Sequence, residues 1–249
     1  MKHIIPILEG TIIFLALETI LLKPTWLIYI LLLTASVIFL GVLLPKKKFS
    51  GKNEFWHYLA SPLIFVWSGT ILLLFFENVY FKHFFVLGLG AYILFYFENF
   101  LYYLIVPSDE SRDSFLRINN LMNVVSIFFL SASFYGIKTF IQLHLWLLSI
   151  IFFIFSLGLI YGPLWTLKKK TKIIIPEMLI AALIITELFT AIQFLPIGFY
   201  ASGALVGILY YILSGVLINY LKYKKIVYRR YIIVGLILLF LILFTARWV

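Results

Sequence analysis

The chain has 249 residues, of which 64% are apolar and 12% charged, with a mean hydropathy of +1.10 and a formal net charge of +10. Soluble domains carry about a quarter of their residues as charges, so 20 basic and 10 acidic side chains cannot cover a water-borne particle, and lipid must be the solvent. The absence of cysteine excludes disulfides, thiolate catalysis and Cys-ligated metal.

A spanning helix needs about 20 predominantly apolar residues, and the sequence predicts nine such segments: 4–22, 25–44, 55–77, 83–106, 118–137, 145–166, 173–195, 197–221 and 228–246. Open strands are excluded in hydrocarbon because unpaired backbone groups there cost several kcal/mol each. Barrel strands would alternate apolar with polar residues, and these runs do not. The expectation is therefore an all-α polytopic transmembrane bundle forming one membrane-embedded domain over residues 1–249. The count drops to eight if the first hairpin, interrupted by Lys23 and Pro24, does not cross fully. Glu9 and Glu18 break the apolar run of the first segment and no small-residue cleavage site follows, so it is predicted to be retained rather than removed as a signal peptide.

Between the second and third segments lies a Lys-rich connection, with Asn53 placed to cap the third helix. The loop at 107–114 holds every Asp in the chain. Ser108 or Ser111 is predicted to cap the helix that follows, with Asp109, Glu110 and Asp113 near its positive end. Pro62, Pro163 and Pro176 are candidate kinks. In the eighth segment Gly203 and Gly207 form a small-xxx-small pair, with Gly215 beyond them, which permits close helix packing within the bundle or along a homodimer seam.

The basic residues predict orientation. With the N-terminus inside and nine spans, the inner connections hold Lys2, Lys46, Lys47, Lys48, Lys52, Arg112, Arg117, Lys168, Lys169, Lys170, Lys172, Lys222, Lys224, Lys225, Arg229 and Arg230. Only Lys23, Lys82, Lys138 and Arg247 remain outside. Short loops rich in Lys and Arg stay cytoplasmic, which places the C-terminus outside and the chain in the cytoplasmic (bacterial inner) membrane. The same clusters are expected to attract anionic lipid headgroups at about 1 kcal/mol per residue. They are not a nucleic-acid footprint, since no groove-reading helix or aromatic RNA platform accompanies them. A faint echo, with a carboxylate followed by a proline in segments one, four and seven, suggests three-helix repeats over 1–80, 81–168 and 169–249, the logic of inverted-repeat transporters.

Intramembrane chemistry is limited by inventory. No pair of Asp falls within spans, no HExxH occurs, and His3, His57, His83 and His144 are scattered near span ends. There is no mid-span Lys, no row of Arg in one helix and no glycine-rich phosphate loop. The chain is accordingly expected to be neither an enzyme nor the holder of a cofactor or metal. What remains is carboxylates: Glu98 and Glu187 as the deepest, with Glu9 and Glu18 in the first span. Their polar company is Asn99, Thr186, Thr190 and Gln193, and Asn119 and Asn123 lie one turn apart on a common helix face. Ionisable side chains within spans usually face the bundle interior and mark ion or proton paths. A small-solute or ion-coupled transporter is therefore the leading expectation, against a structural role for the same groups as interhelical glue. The alternatives are a lipid-handling or structural subunit of a membrane complex, and an enzyme on lipid headgroups built from Asp109, Glu110 and Asp113.

The stretches Thr186 to Phe189 and Phe194 to Gly203, with the Tyr210-Tyr211 pair, resemble multi-spanning membrane proteins of candidate-phylum bacteria with small genomes. The resemblance implies a fold and a membrane location, and carries over no activity and no functional residue.

Overall fold

The computed structural model describes residues 4–45, 54–106, 108–166, 171–223 and 229–245. Among these the chain is helical, with no strand: α1 (Ile4–Leu22), a single 3-10 turn (Pro24–Trp26), α2 (Leu27–Leu43), α3 (Glu54–Leu73), α4 (Val79–Ile105), α5 (Asp109–Ile141), α6 (Leu145–Thr166), α7 (Thr171–Ile192), α8 (Phe199–Tyr223) and α9 (Arg229–Thr245). Seven helical segments are long and apolar enough to cross a membrane, namely α1, α2 with its preceding turn, and α4 to α8. Within α3 and α9 the apolar stretches are shorter, at Tyr58–Leu73 and Tyr231–Phe240. The expected spans one and six cover the described residues of α1 and α6. The Lys-rich segments 46–53, 167–170 and 224–228, Lys2, Asn53, Pro107 and Arg247 lie outside the described residues.

Helix ends follow local chemistry. Pro24 opens the 3-10 turn, where its missing N–H costs nothing, and Lys23 lies over the Trp26 ring at 5.0 Å. Asn78 caps α4, its Oδ1 accepting from the Phe81 N–H at 3.2 Å. At the start of α5 the two serines cap each other reciprocally. Ser108 Oγ accepts from the Ser111 N–H, and Ser111 Oγ accepts from the Ser108 N–H, both at 3.1 Å. With that cap, and an Arg112–Asp109 pair at 2.8 Å, α5 begins inside the charged loop and runs 33 residues rather than the 20 of its apolar run. It ends at Gln142, the one described non-glycine residue with positive φ (60°), whose N–H bonds the Lys138 carbonyl at 3.1 Å.

The chain divides into two compact units, Met1–Asn119 and Asn120–Val249, with the boundary inside α5. In the first, α1 packs on α4 and α2, and α2 on α3. α1 and α4 meet through glycine. A Cβ on Gly10 would lie 2.8 Å from Leu94 Cβ and 3.0 Å from the Gly90 carbonyl, and one on Gly90 would lie 3.0 Å from Phe14 Cβ. The aromatic core joins Tyr58, Tyr96, Phe100 and Phe115, with the Tyr96 hydroxyl donating to the Tyr58 carbonyl at 3.1 Å. Trp67, mid-span in the sequence, donates its indole N–H to the Leu31 carbonyl of α2 at 3.2 Å.

In the second unit α6 packs on α7, α7 on α8 and α8 on α9. Gly203 and Gly207 receive α5: a Cβ on Gly203 would lie 2.7 Å from Ala132 Cβ and 2.8 Å from its backbone, and one on Gly207 3.2 Å from Phe128 Cβ. Gly215 faces the Tyr231 ring of α9. These three glycines are thus occupied by helices of the same chain. Phe189 stacks on Phe152 at 4.3 Å and on Tyr135 at 4.7 Å.

Candidate functional site

The four carboxylates expected within spans have different surroundings. Glu9 is the buried one, 5% exposed, and neither carboxyl oxygen has a hydrogen-bond partner among the described residues. Glu18 is partly exposed and its Oε2 lies 2.7 Å from His83 Nδ1 of α4. Nine residues at 100° each turn the helix by two and a half revolutions, so these two side chains leave α1 on opposite faces. Glu98 and Glu187 are exposed on the outer faces of α4 and α7 rather than turned to an interior.

The recess around Glu9 is made by what α2 lacks. A Cβ on Gly41 would overlap the Glu9 carboxyl where it lies, so a larger residue there would displace the end of that side chain. Along the same face of α1, Ile13 and Leu17 at i+4 and i+8 are fully buried, so the carboxyl sits at the end of an apolar stripe. Gly10, the next residue, lies at a close approach to α4. Glu9 is therefore held beside a close helix–helix contact. A buried charge without partners costs several kcal/mol, and none of the described groups offsets it.

The polar companions are spent locally or buried elsewhere. Asn99 Nδ2 bonds the Phe95 carbonyl of its own helix at 2.8 Å, and Thr186 and Thr190 bond carbonyls of α7. Asn119 is 1% exposed with its Oδ1 unpartnered. Asn123, fully buried, donates to the Leu159 carbonyl of α6 at 2.6 Å. Fully buried Tyr210 lies beside the Asn123 side chain. Gln193 lies just past the end of α7, its Oε1 buried and without a partner among the described residues. Among the described residues no three His, Asp or Glu side chains converge as a metal would require. Asp109 is engaged by Arg112.

The Gly10–Gly90 contact and the Gly41 recess have no counterpart among the sequence-based expectations; their only signal is a lone glycine in α1 and in α2 and the Gly88/Gly90 pair in α4. No protein-family model, no curated protein and no solved structure matches the chain.

Proposed function

We propose that this multi-spanning membrane protein is an ion-coupled transporter of a small solute, with Glu9 as the group that takes up and releases the coupling ion. The observation that carries this reading is a carboxyl 5% exposed in a membrane-spanning helix, with both oxygens free of partners among the described residues. Such a group gains most from a proton or small cation arriving from outside the protein, and the bare backbone of Gly41 is what lets the carboxyl lie against α2. Nine spans with the N-terminus in the cytoplasm, implied by the Lys and Arg distribution, belong to the same proposal. So do contacts of the inner basic clusters with anionic lipid.

The test is flux. The purified chain in liposomes, with a pH gradient imposed and a panel of small solutes supplied, is expected to show solute-dependent proton movement. Glu9→Gln matches the protonated acid in size and should fold normally but lose that movement. Flux equal to wild type in the Gln variant would remove Glu9 from the mechanism. A second reading, a subunit of a membrane complex, is favoured by Glu98 and Glu187. Both lie exposed on helix faces that would otherwise meet lipid, and stoichiometric copurification of a partner lost on Glu187→Leu would support it.

A further inference from the structure

The second unit holds a cleft of about 320 Å³ where the last turns of α5, the α7–α8 connection and the start of α8 come together, at the small end of the range for ligand sites. Its charge has one sign. Lys138 lines it, a cation with no ion-pair partner among the described residues, and no carboxylate stands in the lining. The 25-residue helix α8 begins in the same wall at Phe199, with no acidic side chain in its first turn. The positive end of its dipole therefore adds to the Lys138 charge. The hydrogen-bonding groups divide into spent and available. The Tyr135 hydroxyl gives its proton to the Phe189 carbonyl at 2.6 Å, and the Thr139 hydroxyl gives its proton to the Tyr135 carbonyl at 2.8 Å. Ser202 also lines the cleft, is only 4% exposed, and its hydroxyl has no partner among the described residues. Gln193 keeps its Oε1 buried, which leaves the amide NH2 as the end it presents to the cleft.

An ammonium, an amide NH2 and an unpartnered hydroxyl, with no acid opposing them, call for an acceptor that carries negative charge. A cation would meet Lys138 with repulsion, and a neutral solute would leave its charge uncompensated. A buried donor left without an acceptor costs free energy, and hydrogen bonds to an ionised acceptor are about twice as strong as neutral ones. We propose that this cleft binds a phosphate-sized oxyanion, with Lys138 supplying the charge and Ser202 and Gln193 the hydrogen bonds. That oxyanion is either free in solution or the phosphate of a lipid headgroup. The site stands on its own geometry and does not depend on Glu9 or on transport.

The test is equilibrium dialysis of radiolabelled inorganic phosphate against the full chain, stripped of lipid in a neutral detergent. Saturable binding is expected; sulfate should displace the label and methylammonium should not. Lys138→Met should weaken binding by about tenfold or more, since it removes a charge-assisted contact. Lys138→Gln, which keeps polarity but not charge, should do the same if the Met variant proves unstable, and Lys138→Arg should retain binding. Ser202→Ala and Gln193→Leu should each weaken it by about threefold to tenfold, and Lys82→Met, outside the cleft, should leave it unchanged. In phosphatidylcholine nanodiscs, an affinity for phosphate equal to that in detergent identifies the free anion as the ligand. An affinity weakened there, on Lys138-bearing protein only, identifies the headgroup phosphate as the competing occupant. Absence of saturable binding to the lipid-free chain overturns the proposal, as does undiminished binding in Lys138→Met or Lys138→Gln, or displacement by methylammonium.

Discussion

Two glycines of α4, two residues apart, should respond to alanine with opposite signs. A Cβ on Gly88 meets nothing within 4 Å, whereas one on Gly90 would lie 3.0 Å from Phe14 Cβ and 3.1 Å from the Gly10 carbonyl. Ordinary carbon contacts sit at about 3.5–4.0 Å, so Gly90→Ala forces α1 and α4 apart by roughly half an ångström. A gap of 0.5–1 Å forfeits about a quarter to a half of each dispersion contact along the seam, and overpacking of this kind costs about 1–3 kcal/mol. Gly10→Ala, whose Cβ would come 2.8 Å from Leu94 Cβ, should lie at the upper end of that range. Gly88→Ala relieves the helix penalty of glycine and should be neutral or stabilising by up to about 1 kcal/mol. The double variant Gly10→Ala/Gly90→Ala should cost less than the sum, because helices already displaced by one methyl partly accommodate the other. Unfolding in mixed micelles with increasing SDS fraction reads these differences. Equal effects at positions 88 and 90, or strict additivity of 10 with 90, would refute the close approach.

Other consequences are as direct. Gly203→Ala should destabilise by about 1–3 kcal/mol and clearly more than Gly207→Ala, because its Cβ would meet Ala132 backbone at 2.8 Å whereas the nearest atom at 207 lies at 3.2 Å; the same titration checks it. Ser108→Ala removes half of the reciprocal cap on α5 and should cost about 1 kcal/mol, read by hydrogen exchange at the N–H of Ser111. A cysteine placed at Lys169 should be shielded from an impermeant thiol reagent in intact cells and one at Lys82 should react; the reverse pattern would invert the proposed topology.

The helices were legible because an apolar run of about 20 residues matches the thickness of a bilayer, and the end of α1 at Leu22 and the start of α6 at Leu145 follow from the sequence alone. α5 is longer than its apolar run because the Ser108–Ser111 cap starts the helix in the charged loop, a choice between two serines that hydropathy does not make. Angular position was not legible. Depth along a span ranked Glu98 and Glu187 first, yet which face turns inward depends on the neighbouring helix, and a helix apolar all round carries no stripe to reveal it. Glu9 became the buried carboxyl because Gly41 leaves it space, and that pairing joins residues 32 apart in sequence. The cleft likewise joins Lys138 with Gln193, 55 residues apart, and neither is unusual until both stand in the same wall.

The most direct test of the central claim is infrared difference spectroscopy of the full chain in lipid as the pH is stepped. If Glu9 takes up and releases protons from its recess, a protonated-carboxyl band should rise and fall with pH, shift on 13C-labelling of glutamate, and vanish in Glu9→Gln, while Glu98→Gln and Glu187→Gln retain it. A carboxyl band that titrates unchanged in Glu9→Gln would contradict the account.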